Sequence, residues 1–526
     1  MREHKILWVD DEVEFLKPYL LFLKERGYIV HSSSNGSDAI ALIQKEPYDL
    51  ILLDQMMVGM DGLSTLIELR RIDPNLPVVM VTKTEDEPLM DEAFGKGIDD
   101  FLVKPIQPRQ LVSLLKRVLE KRGIMEERMG KNYAEAYQEI TLKRSASPDW
   151  REWLLIYQRL VEWDLLMDEL KEENLRETHR ELKALCNAEF CKYVEGNYGN
   201  WIHGVLNPPS GLRMRSSFPL LSPEILKEFL FPLLKERERV LLLVLDCLRL
   251  DQYLAIDPLL KEFFEVKKEY YYSILPTATP YSRNSIFSGL FPDQISKMYP
   301  QYWETGSEVS QNRYEETLLQ CLLKRSGVSL HPESKYFKVY ELEHAQQLKE
   351  RFSSLTQTPF ITIVANFVDL LTHHRGESKL LQEVTPDEDA FRSLTYSWFL
   401  HSPLLSILQI CSREKMTVLL TTDHGSIRCG RATPIYGGKE ISPNLRFKFG
   451  SALRCDSKHA FFIKDPERLQ LPLEGQETRY CIAKEDFYFV YPTHFQRYEK
   501  QYKGTFQHGG ISMEEMILPF AILTPT

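Results

Sequence analysis

Short apolar runs alternate with amphipathic stretches of helical length through residues 1–121. Each run is long enough for a buried strand, and each intervening stretch is long enough for a crossover helix. Five repeats of this kind predict a parallel, doubly wound α/β sheet, in which sites form at the carboxyl ends of the strands. The apolar runs are Ile6–Val9, Tyr28–His31, Leu50–Leu53, Val78–Val81 and Phe101–Val103.

The pattern changes to a helical one over residues 122–206. Trp150, Trp153, Tyr157 and Val161 recur at three- and four-residue steps, which is one face of a helix. Aromatic residues at this spacing are typical of buried helix–helix packing rather than of a cofactor surface. Ser147-Pro148-Asp149 predicts a break followed by a helix start. We therefore expect a bundle of two or three helices.

Strand and helix patterns alternate again over residues 207–526. The segment begins with the linker-like sequence Asn-Pro-Pro-Ser-Gly at 207–211. Its strongest strand predictions are Val240–Leu245, Phe360–Ala365 and Thr417–Thr421. This pattern predicts a second, larger α/β domain.

Composition narrows the class of protein. The chain has 526 residues, which at about 150 residues per domain suggests three or four domains. Its net charge of −10 argues against a general nucleic-acid binder. Eight cysteines without CxxC spacing indicate a reducing compartment, and we expect a cytoplasmic protein without a signal peptide. The most apolar run, Val240–Leu245, is too short to span a membrane.

Acidic and polar residues follow the strands of the first predicted sheet. Asp10 and Asp11 follow the first strand, Asp54 ends the third, Thr82 ends the fourth and Lys104 follows the fifth. These side chains should gather at one edge of the sheet. Clustered carboxylates hold a hard cation such as Mg²⁺, while Lys104 neutralises phosphoryl oxygens and Asp54 attacks as a nucleophile.

The first domain resembles the receiver domain of bacterial response regulators. The resemblance rests on WVDDE, LLDQMMVGMDGL, MVTK and FLVKP, although Val58 stands where proline is frequent. It implies a flavodoxin-like (βα)5 fold, a Mg²⁺ cofactor and phosphorylation by a sensor histidine kinase. It also implies that Asp54 is the phospho-acceptor, that Thr82, Phe101 and Lys104 form the switch, and that the Mg²⁺ ligands are Asp10, Asp11, Asp54 and the carbonyl of Met56.

Metal-ligand residues also follow the strands of the larger predicted domain. Carboxylate and imidazole together suit zinc better than thiolate-selecting or all-oxygen metals. The candidates are Asp246, Asp369, His373, Asp423, His424 and His508.

Thr279 is the predicted nucleophile of this domain. Pro280 suits the first helical position, so Thr279 should be the N-cap, at a helix end whose amides attract phosphate. Thr277, two residues further out, remains the alternative. Arg283, about one turn along, is expected to reach an anionic substrate bidentately, and Asn284 to line the same pocket.

These clusters resemble the alkaline phosphatase superfamily, and Thr277–Pro280 with Ser288–Pro292 resembles its nucleotide pyrophosphatase/phosphodiesterase branch. The resemblance implies an α/β/α fold and two Zn²⁺ ions. One ion would take Asp369, His373 and His508, with His374 as an alternative to His373. The other would take Asp246, Asp423 and His424 and activate Thr279.

The order of receiver, helical bundle and this output domain resembles response regulators of the type-nine secretion system of Bacteroidota, whose output domain belongs to the PglZ group. The resemblance predicts domains at 1–121, 122–206 and 207–526, and control of secretion or envelope genes. It implies a possible sigma factor or transcription partner, no membrane partner, and a phosphorylation-dependent homodimer. The charged face for that dimer contains Asp99, Asp100, Arg117 and Lys121.

Two functions of different class follow. In the first, the output domain is a zinc phosphoesterase, most simply a phosphodiesterase on nucleotide or oligonucleotide esters. In the second, it is a non-catalytic metal- or nucleotide-binding module that signals through protein partners. A DNA-binding regulator is disfavoured by the acidic charge and by the lack of a clear helix-turn-helix segment.

Overall fold

The computed structural model divides into two compact units. The N-terminal unit comprises residues 1–138 with 170–172, and the larger unit comprises residues 139–169 and 173–526. Side chains are described except at 120–127, 170, 173, 174, 374, 375, 379, 380 and 382. The described residues are 4–73, 76–83, 96–170, 173–207, 218–303, 312–375, 379–437, 444–493 and 495–526.

The N-terminal unit contains a five-stranded parallel sheet in the order β2-β1-β3-β4-β5. This is the parallel sheet that the apolar runs predicted. The first residue of each run lies within one residue of the start of its strand. The strands are β1 (Lys5–Val9), β2 (Ile29–Ser33), β3 (Leu50–Asp54), β4 (Val78–Thr82) and β5 (Asp100–Val103). The helices described there are Val13–Lys24, Gly36–Lys45 and Gly62–Ile72, together with Pro108–Ser145, whose last residues belong to the larger unit.

Alternate residues along each strand are buried on opposite faces of this sheet. Leu50 and Leu52 belong to one apolar cluster, while Ile51 and Leu53 belong to another. Because successive side chains of a strand point to opposite faces, helices on both sides must cover the sheet. That burial explains the continuous apolar runs in the sequence.

The helical segment continues with Trp150–Leu170 and Glu173–Leu206. The predicted break is present, because the Asp149 carboxylate accepts hydrogen bonds from the Arg151 and Glu152 amides at 2.8 and 3.0 Å and caps the new helix. Trp153, Tyr157 and Val161 are buried. The aromatic face is therefore a packing surface.

The larger unit is built on a six-stranded mixed sheet in the order β7-β18-β10-β6-β9-β8. Strands β10, β6, β9 and β8 are parallel, and β18 is antiparallel to both of its neighbours. The three strands predicted from the sequence, β6, β9 and β10, have the predicted bounds. The sheet strands are β6 (Val240–Leu245), β7 (Phe264–Tyr272), β8 (Lys335–Val339), β9 (Phe360–Ala365), β10 (Thr417–Thr421) and β18 (Ile517–Pro525).

Shorter strands and helices surround this sheet. The strands are β11 (Ile427–Arg428), β12 (Arg431–Pro434), β13 (Phe447–Gly450), β14 (Ala460–Ile463), β15 (Arg479–Ala483), β16 (Phe487–Val490) and β17 (Phe506–Gln507). The α-helices are Phe231–Lys235, Leu250–Lys261, Thr279–Ser288, Pro292–Met298, Glu315–Arg325, Leu342–Phe352, Phe367–Arg375, Lys379–Val384, Glu388–His401, Pro403–Arg413, Phe495–Tyr502 and Met513–Met516. Single turns of 3₁₀ or π helix occur at Ser222–Glu224, Leu226–Leu230, Pro300–Tyr302 and Glu467–Leu469.

The parallel strands β6, β9 and β10 all end at the same edge of the sheet. Their carboxyl ends lead directly into Asp246, Asn366 and the Thr422–His424 segment. A site at this edge is what an open α/β sheet favours. Among the described residues, no helix combines the length and apolar character needed to cross a bilayer.

Candidate metal centres

The N-terminal unit carries an acidic pocket, formed by Asp10, Asp11, Asp54 and Lys104. Potential ligand atoms of the three aspartates lie within 4.8 Å of one another. Lys104 Nζ lies 2.8 Å from Asp10 Oδ2 and 3.0 Å from Asp54 Oδ2. The structure thus brings together residues from the ends of three strands, as their positions in the sequence predicted.

Burial shapes the charges in this pocket. Burial raises the pKa of Asp54, and the Lys104 ammonium offsets only part of that effect. Burial also opposes the charged form of Lys104, but its hydrogen bonds to Asp10 and Asp54 raise its pKa overall. Among the described residues, Asp54 Oδ1 has no hydrogen-bond partner. An all-oxygen set with one orphaned carboxylate oxygen fits Mg²⁺.

The remaining receiver positions lie around the pocket. Thr82 is buried at the end of β4, and its carbonyl accepts a hydrogen bond from the Lys104 amide at 2.7 Å. Phe101 is partly buried against the core of the sheet. Met56 lies two residues beyond Asp54 with an exposed side chain, and the neighbouring Val58 amide donates to Asp11 at 3.2 Å.

The charged face proposed for a dimer is already paired within the chain. Asp99 accepts a hydrogen bond from Arg70 at 3.0 Å, and Asp100 pairs with Arg117. The side chain of Lys121 lies outside the described residues. Self-association through these charges would therefore exchange internal ion pairs for intermolecular ones.

In the larger unit, Asp246, Asp423 and His424 form a buried half-site. His424 Nε2 lies 3.8 Å from Asp246 Oδ1 and 3.6 Å from Asp423 Oδ2. All three side chains are at most 1% exposed. Asp246 follows β6 and the other two follow β10, so the adjacent parallel strands create the cluster.

Asp369, His373 and His508 form an open half-site. Asp369 Oδ1 lies 3.3 Å from His373 Nε2 and 3.5 Å from His508 Nε2. The His373 side chain is 49% exposed, whereas that of His508 is 6% exposed. The His374 side chain lies outside the described residues. Solvent can thus reach the centre from the His373 side.

The two half-sites adjoin. The His424 and His508 rings stack with their centroids 4.2 Å apart. A group bound where the two half-sites meet would face ligand atoms from both of them. The structure therefore brings together all six histidine and aspartate residues that the sequence suggested for zinc.

The donor atoms fit bound cations. Among the described residues, Asp246 Oδ1, Asp369 Oδ1 and Asp423 Oδ2 are buried without hydrogen-bond partners. A buried carboxylate oxygen without a partner is costly, and a coordinated cation removes that cost. Three carboxylates with three imidazoles match the donor preference of zinc.

Buried charges perturb the titration of these groups. Burial raises the pKa of Asp246 well above its ordinary value, against the opposing effect of Arg283. Burial lowers the pKa of His508 well below its usual range, helped by neighbouring histidines. Burial opposes the ionised form of Asp369, but contacts with His373 and His508 outweigh it and lower the pKa. A neutral His508 is ready to ligate a metal.

Thr279 lies beside the buried half-site. Its Oγ1 is 2.9 Å from His424 Nε2. The predicted N-cap position is wrong by one residue: the helix begins at Thr279, and Ala278 is the N-cap. The Ala278 carbonyl accepts hydrogen bonds from the Tyr281 and Ser282 amides, and Pro280 has no N–H to offer. Because these two amides are already bonded to that carbonyl, they are not free to bind phosphate in this conformation.

Thr277 has a different environment. Its buried hydroxyl donates to the Gly510 carbonyl at 2.7 Å and accepts from the Gly509 amide at 3.1 Å. Both bonds go to the backbone beside His508. Thr277 thus links two loops of the centre, while the Thr279 hydroxyl faces the candidate ligands.

Arg283 does not reach towards a substrate position, which corrects the expectation. It is 1% exposed, and its guanidinium lies 2.5 Å from Asp246 Oδ2 and 2.7 Å from Glu315 Oε1. Glu315, fully buried, supplies the anion that the sequence did not associate with Arg283. Asn284 is also buried and donates to the Pro280 carbonyl within its own helix at 2.9 Å.

Sequence reasoning missed several supporting residues. Asn366 donates to Asp246 Oδ2 at 2.8 Å. Arg446 and Glu515 form a buried ion pair at 2.6 Å, and Glu515 also accepts from the Gly510 amide at 2.8 Å. Of these residues, Asn366 could have been found from the sequence, because it directly follows a predicted strand. Arg446 and Glu515 are 69 positions apart, and no local pattern links them.

Comparison with protein families gives three matches in chain order. Residues 6–116 match the response regulator receiver domain, and residues 123–202 match the PorX response regulator linker domain. Residues 225–523, more than half of the chain, match the BREX system PglZ alkaline phosphatase-like domain. This is the domain order of a PorX-like response regulator.

Curated relatives match the receiver portion. The transcriptional regulatory protein ResD of Bacillus subtilis is 37% identical over 119 residues, 23% of this chain and 49% of that protein. SrrA of Staphylococcus aureus is 35% identical over 118 residues, 22% of this chain and 48% of that protein. The chain thus spans about half the length of these relatives. Among solved structures, the chemotaxis protein CheY4 of Vibrio cholerae is 30% identical and covers 22% of this chain and 100% of its own, with a TM-score of 0.22.

Proposed function

The chain belongs to the family of PglZ alkaline phosphatase-like domains, and on that basis we propose that its larger unit is a two-zinc phosphoesterase. Thr279 is its nucleophile. The observation that carries the proposal is the position of Thr279 Oγ1, 2.9 Å from His424 Nε2 and beside the orphaned carboxylate oxygens of Asp246 and Asp423.

Two cations would be held by the two half-sites. Asp246, Asp423 and His424 would hold one, and Asp369, His373 and His508 the other. Bound zinc supplies positive charge that makes a nearby hydroxyl more acidic and stabilises charge developing on phosphoryl oxygens. The carboxylates and imidazoles of the chain would hold that charge at the edge of the sheet.

Thr279 performs the covalent step. Its Oγ1 gives its proton to water and forms a bond to phosphorus as the ester P–O bond breaks, and the departing oxygen takes a proton from water. Water then attacks the phosphothreonine, releases phosphate or a phosphate monoester, and restores the hydroxyl. Arg283 acts indirectly, because its guanidinium holds Asp246 and Glu315 in place rather than contacting substrate.

The chain is a two-component response regulator by its domain matches, and a receiver domain implies a sensor kinase partner. We assign phosphorylation to Asp54, with Mg²⁺ held by Asp10, Asp11, Asp54 and the Met56 carbonyl. Phosphorylation would change self-association through the face that contains Asp99 and Asp100. Control of protein secretion or envelope genes, with a sigma factor or transcription partner, belongs to the same proposal, as does a cytoplasmic location.

The preferred substrate class is phosphodiesters of nucleotides or oligonucleotides. The resemblance of the Thr277–Pro280 and Ser288–Pro292 sequences to the phosphodiesterase branch supports this choice. The His373 side chain is 49% exposed, so an ester could approach the centre from that side.

A second candidate is a non-catalytic metal- or nucleotide-binding signalling module. The observation that favours it is the Arg283 guanidinium, which already neutralises Asp246 at 2.5 Å. In this alternative the Arg283 guanidinium would stabilise the buried half-site by its positive charge. That half-site would then need no metal ion for stability.

Metal analysis of the purified full chain, followed by a screen of phosphate mono- and diesters, separates the two candidates. The phosphoesterase requires about two zinc ions per chain and turnover that is lost with a chelator and restored by zinc. Stoichiometric zinc without cleavage of any ester would favour the signalling module instead.

A further inference from the structure

The helix Glu173–Leu206, which lies outside the part of the chain matched to the PglZ domain, bonds to the segment that follows His508. Asn187 Nδ2 donates to Glu514 Oε2 at 2.8 Å, and Asn187 Oδ1 accepts from the Met513 amide at 2.8 Å. One turn further on, Cys191 Sγ donates to the Ile511 carbonyl at 3.1 Å. The linker helix thus holds three residues within a four-residue stretch.

Asn187 suits this task because it is a donor and an acceptor in one short side chain. It is 5% exposed, so water cannot replace its bonds easily. The Glu514 carboxylate is also buried, and the Asn187 amide is the hydrogen-bond donor from the linker that faces it. Loss of the amide would leave both a peptide N–H and a carboxylate without this partner.

Residues 511–515 lie next to a candidate ligand of each half-site. His508 lies three residues before Ile511 on one side. On the other side the Gly425 amide donates to the Glu515 carbonyl at 3.2 Å, directly after His424. A Cβ at Gly425 would lie 1.9 Å from the Glu514 carbonyl oxygen, so the two segments are in close backbone contact. A shift of residues 511–515 would therefore displace a candidate ligand of each half-site.

We propose that Asn187 is a positioning residue for His508, and that the linker helix thereby forms part of the metal centre. This inference rests on the proposed function, because it takes His508 to be a metal ligand. It assigns the linker a role in ligand geometry, in place of a role as a spacer between domains.

Cobalt titration of the full chain tests the proposal without relying on turnover. The background variant Asp423→Asn weakens the buried half-site while preserving its shape, and excess Mg²⁺ fills the acidic pocket of the N-terminal unit, so that Co²⁺ reports on the open half-site. In this background, Asn187→Leu should weaken Co²⁺ binding by about 10-fold or more and change the shape of the visible absorption band, as loss of a supporting contact to a ligand does. Asn197→Leu is the matched control, because the Asn197 amide donates to the Tyr193 carbonyl of its own helix rather than to the segment after His508.

Asn187→Ser provides a graded second variant if Asn187→Leu does not fold. Its shorter hydroxyl leaves room for a water molecule that bridges to the Met513 amide and to Glu514, so the loss of affinity should be smaller. Wild-type affinity and band shape in both Asn187 variants would overturn the positioning role alone. Absence of Co²⁺ binding in the unsubstituted chain would overturn the metal centre itself, and the positioning role with it.

Discussion

The acidic pocket and the candidate metal centre both gather carboxylates at the carboxyl ends of parallel strands, but their donor sets differ. The pocket has three aspartates and Lys104, all within about one hundred residues of sequence. The metal centre adds three histidines and a threonine hydroxyl, from Asp246 to His508. Oxygen donors alone favour Mg²⁺, whereas imidazole donors favour zinc.

The difference teaches how one kind of sheet edge can support two kinds of phosphoryl chemistry. At the pocket, a carboxylate nucleophile would keep its phosphoryl group as a signal. At the metal centre, an alcohol nucleophile between two cation sites would pass its phosphoryl group on to water. The support also differs, because the metal centre depends on buried ion pairs such as Arg446–Glu515, which cross long stretches of sequence.

The largest expected effect tests the pocket. Asp54→Asn should abolish labelling of the receiver by an acyl phosphate in the presence of Mg²⁺, because the nucleophilic oxygen is gone. Labelling is measured by intact mass spectrometry. Asp38→Asn, an exposed aspartate at a helix start, is the control and should label normally. Retained labelling of Asp54→Asn would show that another residue accepts the phosphoryl group.

The next effect tests the metal centre and should leave the pocket unchanged. His424→Ala should reduce zinc from about two to about one per chain, because it removes an imidazole donor from the buried half-site. Ester turnover should fall at least ~10²-fold. His401→Ala is the control, since His401 is exposed and its ring bonds the Ser397 carbonyl of its own helix. Full zinc content in His424→Ala would contradict the assignment of the buried half-site.

A smaller effect tests the buried support of the metal centre. Glu515→Gln leaves the Arg446 charge buried without its anion and should lower the free energy of unfolding of the larger unit by about 3–5 kcal/mol. The control is Glu467→Gln, which breaks the exposed pair with Lys297 and should cost about 0–1 kcal/mol. Hydrogen exchange in the full chain measures both. Equal effects would show that the buried pair has no special role.

The smallest effect is a pH dependence in the N-terminal unit. Hydrogen bonds from Lys5 and Tyr48 lower the pKa of Glu46 to about 2. A depressed pKa means that the stabilisation is fully present above the ordinary value of 4.5 and is lost as the pH falls towards about 2. Glu46→Gln should therefore destabilise this unit near neutral pH, with a difference that vanishes in that acidic window.

The partner variant Lys5→Met sharpens the same test, because Lys5 lies 2.6 Å from Glu46. It should remove most of the same pH dependence, measured by hydrogen exchange between pH 2 and 7. A pH dependence that is unchanged in both variants would mean that other groups produce it.

The sequence predicted the strands, and the close grouping of the candidate ligands that follow them, for a physical reason. Buried parallel strands must be apolar on both faces, so Val240–Leu245 and Thr417–Thr421 are visible as continuous runs, and the residues that follow them must lie at one edge. The helix start at Thr279 was off by one residue because proline is tolerated at either of the first helical positions.

The environment of Arg283 could not be predicted in the same way. Its partners Glu315 and Asp246 are distant in the sequence, and a basic residue near a predicted nucleophile suggests substrate binding. The antiparallel direction of β18 and the bond from Asn187 to Glu514 are likewise consequences of tertiary packing. The local pattern of hydrophobic and polar residues does not indicate such contacts.

The most direct test of the central claim is ester turnover and zinc content measured on the same sample of Thr279→Val, with Thr277→Val beside it. Thr279→Val keeps the shape of the side chain and should retain zinc while turnover falls by about 10⁴-fold or more. Thr277→Val should keep the nucleophile and lose mainly stability, because among the described residues the Thr277 hydroxyl bonds the backbone of Gly509 and Gly510. Full turnover in Thr279→Val, with loss in Thr277→Val, would contradict the account and make Thr277 the nucleophile.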